Sequence, residues 1–311
     1  MKDLIVGAFL GYLPPSLVPW VNSIRRSGFS GDKLALVYGL DVRADFAADF
    51  LLAEGFIVER PGPYPASIVV ERFRDIVRFL DAHPGLYRHV IATDVGDVVF
   101  QQDPSPFLEA RLRDGKEILV GSECVRFADQ PWGRDNLLRS FPDEAHAHLD
   151  DIIYNAGVIA ATAPAARELF AAIYAKSISS PIANPDQAAL NLLLQGPFKP
   201  RTVFASLADG WALHCGTILS SDAGTELHQR FVEPAGEIRR GVGYTPAGDP
   251  VCILHQYTRD ARNLPQVHRQ YRAPGSLGLQ FWKLRFLSYR ARRKLRRVLT
   301  SAELHGPAGP S

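Results

Sequence analysis

From residue 1 to about residue 60 the chain alternates short apolar runs with amphipathic stretches, and that alternation leaves few folds open. Leu4 to Phe9 reads as a buried strand ending in a Gly11-Tyr12 loop. A helix follows, with Ser16 as N-cap, Leu17, Val18, Val21 and Ile24 on one face, and Gly28 after its last turn. Leu34 to Tyr38 is a second strand, Ala44 to Glu54 a helix stopped by Gly55, and Phe56 to Glu59 a third strand. A βαβα order of this kind specifies a parallel sheet with helices on its faces. The expected class is therefore α/β, with a mixed, mainly parallel, Rossmann-like sheet flanked by helices. Ser67 to Leu80 continues the pattern as a helix, with Phe73, Ile76, Val77 and Leu80 at helical spacing and Arg72, Arg74 and Arg78 off that stripe.

Within such a sheet the stretch His89 to Pro104 carries the densest chemistry. An apolar run, Val90 to Ala92, delivers Asp94 and Asp97 at a glycine-bent corner before a second run, Val98 to Phe100, which stops at Asp103-Pro104. Ligands of an open α/β sheet bind beyond the carboxyl ends of its strands. A hard divalent ion is commonly held there by one or two carboxylates and the substrate's phosphates. The same residues also suit an ordinary tight turn, so the residues alone leave turn and metal site open.

Further along, Glu117 to Gly121 is a strand leading into Ser122-Glu123-Cys124, and residues 122 to 150, with Trp132, show little periodicity. They read as a loop or small subdomain, suited to acceptor recognition or merely anchored by its tryptophan. Asn155-Ala-Gly157 precedes a buried strand and is, by itself, a common turn. Ala165 to Lys176 is an amphipathic helix. Asn184-Pro185-Asp186-Gln187 has the chemistry of a helix start, with Asn184 as N-cap and Gln187 closing a capping box. Arg201 to Ala205 is a strand, and Val251 to Tyr257 is another that delivers His255 at its end.

Composition removes several classes. Hydrophobic content of 46% and charged content of 22% over 311 residues describe a chain with a full core, not a disordered one. A net charge of +2 argues against a general nucleic-acid binder. Cys124, Cys215 and Cys252 are scattered and odd in number, which gives neither a zinc site nor a disulfide framework and suggests a reducing compartment. The N-terminus has the look of a weak signal peptide, but Asp3 interrupts its basic region and Pro14-Pro15 truncates its apolar one, so a first strand is the preferred reading. No apolar run approaches the roughly 20 residues of a membrane span. The segment from Phe281 to Leu299 is basic with aromatics near its start, so a docked terminal helix and a membrane-surface helix are both open, and Ser301 to Ser311 reads as a frayed end.

The motifs together resemble one family. Asp94-Val-Gly-Asp97, followed by Val-Val-Phe-Gln and Asp-Pro, resembles the variant Asp-x-x-Asp signature of nucleotide-diphospho-sugar transferases, glycosyltransferases of the GT-A fold. Asn155-Ala-Gly157 is similar to the Asn-Ala-Gly element that holds donor sugar hydroxyls in such enzymes, and Asp186-Gln187 resembles the Asp-Gln pair that retaining members place beneath the donor sugar. His255 stands where metal-dependent members supply a histidine ligand, and the ordered set covers residues 1 to 260.

The resemblance implies Mn2+ or Mg2+ held by Asp94, Asp97 and His255, a ligand set with an imidazole that suits manganese. It implies Phe9, Gly11, Tyr12, Arg72, Asp94 and Gly157 on the donor, with Arg72 facing phosphate oxygens, and Asp186, Gln187 and Asn155 on the catalytic side. The implied partners are a nucleotide-diphosphate sugar, a UDP-sugar foremost, and a glycan or lipid-linked acceptor. Asp-x-x-Asp in place of the compact Asp-x-Asp leaves open whether both carboxylates touch the ion. The expected organisation is a GT-A-like domain over 1–265, with a nucleotide half (1–120) and a sugar and acceptor half (121–265), and a basic extension over 266–311. The location expected is cytoplasmic, with peripheral membrane contact through the basic tail. Two other readings stay open: a sugar-phosphate nucleotidyltransferase, which the lack of Arg or Lys between Gly7 and Pro15 disfavours, and a non-catalytic sugar-nucleotide or glycan binder.

Overall fold

The computed structural model describes residues 1–62, 64, 66–218, 224–259 and 261–271, with residues 284, 287, 288, 291 and 292 beyond them. The first units are β1 (Lys2–Leu10), α1 (Pro14–Ser27), β2 (Asp32–Tyr38), α2 (Val42–Ala53) and β3 (Ile57–Glu59), in the expected alternation. Alternate residues of a strand face opposite sides of a sheet. Accordingly Leu4 and Val6 of β1 join one core with Leu34 and Leu36 of β2, while Ile5, Phe9, Ala35 and Val37 enter another on the opposite face. Gly28 closes α1 at φ 86°, as its position suggested, but Ser16 is not the cap: the helix begins at Pro14-Pro15 with Leu13 before it. Proline's fixed φ and missing donor suit the first turn.

The chain continues through α3 (Ile68–Ala82), β4 (Tyr87–Thr93), β5 (Val98–Phe100), α4 (Pro104–Arg111), β6 (Ile118–Arg126), α5 (Pro131–Ser140), α6 (Pro142–Ala145), β7 (Ile152–Thr162), α7 (Ala163–Ile178), α8 (Asp186–Gln195) and β8 (Thr202–Ala205). Asp103-Pro104, where the second apolar run stops, is thus a helix start; Asp103 accepts from the Ser105 amide at 3.0 Å. Residues 122–150, read as a loop or small subdomain, carry α5 and α6 and two short 3-10 turns. The proline starts and short lengths of the two helices hide the apolar periodicity.

Seven strands form one sheet in the order β3-β2-β1-β4-β7-β6-β8. Only β7 runs antiparallel to its neighbours, so the sheet is mixed and mainly parallel. The order reverses between β1 and β4, which makes the carboxyl ends of those two strands a topological switch point, the usual ligand position of such sheets.

The last part of the chain gives β9 (Ala212–His214), α9 (Cys215–Ile218), α10 (Gly224–His228), β10 (Glu237–Arg239), β11 (Val242–Tyr244), β12 (Ile253–His255) and α11 (Leu264–Tyr271). A small sheet, β5-β12-β9, stands beside the switch point. Helix α11 crosses the boundary expected at residue 265 and docks on α1, where Asn22 donates to the Tyr271 carbonyl at 2.8 Å. Apart from residues 284, 287, 288, 291 and 292, the basic segment from Phe281 to Leu299 lies outside the described residues, as does the tail from Ser301 to Ser311. Among the described residues no helix is long and apolar enough to cross a membrane.

Candidate active site

Strand β4 ends at Thr93, and the chain turns through Asp94-Val95-Gly96-Asp97 before β5. The turn is anchored in the core by Val95, which is 2% exposed. Gly7 of β1 makes room for it: a Cβ there would lie 2.5 Å from the Val95 side chain and 2.7 Å from Trp20. Strand β5 then pairs with β12 so that Val98 faces His255, and the Gln256 amide donates to the Asp97 carbonyl at 2.8 Å. Strand pairing therefore carries His255 across 158 positions of sequence to the aspartate turn. Its Nε2 stands 3.4 Å from Asp94 Oδ2 and 3.8 Å from Asp97 Oδ1. One ligand atom from each of the three residues lies within 4.8 Å of the others.

Two observations fit this trio to a cation. The Nε2 atom of His255 is buried and makes no hydrogen bond of good geometry, although it is aimed at two carboxylates. Gly157 leaves the space open: a Cβ there would sit 2.4 Å from the His255 ring and 2.7 Å from Asp94 Oδ2. The electrostatics agree. Burial disfavours a protonated His255, but Asp94 and Asp97 outweigh it and raise its affinity for a proton. Burial also opposes ionisation of Asp94, and there Arg72 and His255 prevail, holding the carboxyl well below the usual range. Asp97 is pushed up by burial, with His255 opposing. A carboxylate pair around one imidazole is a place that wants positive charge.

The Asn-Ala-Gly stretch is not a turn ahead of a strand. It lies inside β7, antiparallel to β4, where the Asp94 amide donates to the Gly157 carbonyl at 2.9 Å. Asn155 is 2% exposed and has both polar atoms engaged: Oδ1 accepts from the Gly157 amide at 2.7 Å, and Nδ2 donates to Glu123 Oε1 at 2.5 Å.

Glu123 is the residue that sequence reasoning passed over. Strand β6 loses register with β7 between Val120 and Arg126, and Cys124 takes φ 63°. Bulges beside a site re-aim side chains, and a non-glycine residue in the left-handed region is a strain that functional sites retain. Glu123 is buried with Asn155, Gln187 and His255 around it, and its carboxyl is pushed up by burial against the Asn155 hydrogen bond. Gln256, next to His255, is also left-handed, at φ 59°. A glutamate before a cysteine in an apolar strand gave no sequence signal of this.

Arg72 is a hub and not a free phosphate fork. It is 7% exposed, and it donates to Asp94 Oδ1, to Asp186 Oδ2 at 3.0 Å and to the Ala156 carbonyl at 3.0 Å. This clamp ties the aspartate turn, β7 and the start of α8 together. The capping box expected at 184–187 is absent. Asn184 accepts from Ser67 and Asn136 instead, Pro185 takes the cap position, and Gln187 Oε1 faces the Ala156 amide at 3.4 Å. Asp186 is pushed up by burial, with Arg72 opposing. The structure thus brings Asp186, Gln187, Asn155 and Gly157 to the aspartate turn.

On the side of β1, Gly11 takes φ 73° and faces open space. Tyr12 stacks on Phe9 at 5.7 Å and covers Gly96, where a Cβ would meet its ring at 2.8 Å. Phe9 is 2% exposed, and its ring supports Tyr12 from the core.

No family model and no curated protein matches the sequence. Solved structures do. The fold is that of GT-A glycosyltransferases. The bifunctional glycosyltransferase WbbM, in its apo structure, superposes with a TM-score of 0.57 at 12% identity over 93% of this chain and 51% of that one. The apo glycosyltransferase GlyE from Streptococcus pneumoniae TIGR4 gives a TM-score of 0.51 at 14% identity over 94% of this chain and 64% of that one. The chain spans about half the length of the WbbM chain.

Proposed function

We propose that this chain is a metal-dependent glycosyltransferase that moves a sugar from a nucleotide-diphosphate donor, a UDP-sugar foremost, to a glycan or lipid-linked acceptor, with retention. The observation that carries the reading is the convergence of Asp94, Asp97 and His255 at the switch point of a GT-A sheet, with an orphaned imidazole nitrogen aimed between the carboxylates. Those three residues would hold Mn2+ or Mg2+, which when bound supplies Lewis-acid stabilisation of the departing nucleotide diphosphate. Arg72 fixes Asp94 and Asp186 on opposite sides of one guanidinium and so sets the spacing between the ion side and the sugar side. Asn155, with both polar atoms taken, positions Glu123, whose buried carboxyl meets a sugar hydroxyl. Tyr12, backed by Phe9, lies along the donor at the mouth.

A panel of radiolabelled nucleotide sugars, each with Mn2+, with Mg2+ and with a chelator, tests the reading. Transfer or slow hydrolysis of one donor, lost on chelation and in Asp97→Ala, is the expected result; the product's anomeric configuration by proton NMR tests retention. Affinity for a donor with no turnover of any kind would make the protein a binder of the same fold. Full activity of Asp97→Ala at saturating metal would remove the cation site.

A further inference from the structure

The metal ligand His255 has a neighbour that the reading above does not use. Strands β9 and β12 run parallel in the small sheet, with Leu213 beside Leu254 and His214 beside His255. That register sets two imidazoles side by side. Their Nδ1 atoms are 3.0 Å apart and the rings meet edge-on at 85°. His214 is 0% exposed.

Two ring nitrogens at this distance share one proton, and its owner decides what the far nitrogen of each ring can do. A proton on His214 Nδ1 would leave His255 Nδ1 as acceptor and force the His255 proton onto Nε2, where it blocks a cation. A proton on His255 Nδ1 leaves His255 Nε2 free to carry either a second proton or a metal ion. The surroundings favour the latter. His255 Nε2 is the nitrogen that faces Asp94 and Asp97, so a cation there takes its lone pair and leaves the His255 proton on Nδ1, where His214 Nδ1 lies 3.0 Å away to accept it. Burial keeps His214 neutral, and its Nε2 lies against Gly121, where a Cβ would be 2.9 Å from that nitrogen. With its proton on Nε2, His214 presents a lone pair at Nδ1.

We propose that His214 is a positioning residue that fixes the tautomer of His255, accepting its Nδ1–H so that Nε2 presents a lone pair to a divalent cation between Asp94 and Asp97. The proposal rests on the cation reading of those three residues. A metal-bound histidine commonly gives its second N–H to a carboxylate, a backbone carbonyl or a water. Here the acceptor is uncharged, in a pocket where Asp94, Asp97 and Glu123 already face His255. A further carboxylate would add like charge to that cluster, and an imidazole orients the ligand without it. The hydrogen bond also keeps its direction whether Nε2 carries a proton or an ion, so loading requires no rearrangement of the pair.

The test is Mn2+ binding, followed by the electron paramagnetic resonance of free Mn2+, to the wild-type protein and to His214→Asn and His214→Leu. The asparagine oxygen can accept near the position of Nδ1, and leucine cannot. His214→Leu should weaken Mn2+ binding by about 10- to 100-fold while His214→Asn stays within about threefold of wild type. Equal binding in wild type and His214→Leu overturns the proposal, and so does equal weakness of both variants at wild-type melting temperature. Where a variant does not fold, long-range proton–nitrogen-15 spectra of the wild-type histidines with Mg2+ decide. They should show Nδ1 protonated on His255 and unprotonated on His214, and the reverse overturns the proposal. A wild type that binds neither ion would bring down the cation reading itself, a failure distinct from equal affinity of wild type and His214→Leu.

Discussion

At the scale of single residues the site depends on side chains that contact each other more than they contact solvent. Arg72 is the clearest case. Replacing it by Met leaves Asp94 and Asp186 facing one another without their shared cation, and breaking a buried ion pair in this way costs about 3–5 kcal/mol. Because Asp94 is partly exposed, the lower end applies, and chemical denaturation of Arg72→Met should show a loss of about 3 kcal/mol together with loss of donor turnover. Gly157→Ala crowds the trio directly. Its Cβ would fall 2.4 Å from the buried His255 ring, so the variant should lose about 1–3 kcal/mol of stability and its folded form should bind Mn2+ at least tenfold more weakly; unchanged binding would show that His255 has room to retreat. These roles were unevenly legible. Asp94, Asp97 and His255 stand at strand ends, where sequence marks them. Glu123 sits within a strand and His214 ends a three-residue one, and only the register of a neighbouring strand, which no local pattern encodes, reveals what they face.

Elements were legible where their signals are local. The alternation through residue 60 and the glycine after α1 need only nearest-neighbour chemistry, and both appear as read. The cap at Asp103 was visible as Asp-Pro but was equally a turn, and its helix was missed because α4 has no clear apolar stripe. Asn184 failed as a cap because a tertiary partner, Ser67, claims its side-chain oxygen, while Pro185 takes the cap position. Asn155 to Gly157 read as a turn because the antiparallel strand that needs a glycine opposite Asp94 is 60 residues upstream. Asp103 gives a test at this scale. Its carboxylate satisfies the Ser105 amide at the first turn of α4, so Asp103→Ala should cost about 1 kcal/mol in urea denaturation. The chain enters that helix only after β5, and among the described residues Asp103 makes no hydrogen bond to the aspartate turn, so turnover of the donor should stay near wild type. A larger loss of activity than of stability would mean that α4 positions β5 for His255.

For the whole molecule, burial sets a limit on alkaline stability. Cys124 is buried under the β6 bulge, and burial followed by the nearby Glu233 pushes its thiol from 9.0 up to about 12. Tyr87, Tyr154 and Tyr271 are each pushed by burial from 10.0 up to about 12. Each group keeps its proton in the folded chain at pH values where the unfolded chain has released it. Stability from these groups is therefore complete below pH 9 and falls as pH rises toward 12, because the folded state binds more protons over that window. For Cys124 alone the two pKa values give a loss of roughly 1 kcal/mol at pH 10. Cys124→Ser keeps a small polar side chain at the left-handed position but does not titrate there. Urea unfolding under reducing conditions should show wild type losing more stability than the serine variant between pH 8 and pH 10, by roughly 1 kcal/mol. The tyrosines keep a residual slope in both. Parallel pH profiles would mean that the β6 bulge opens to solvent around Cys124, and with it the strand that holds Glu123 in the site.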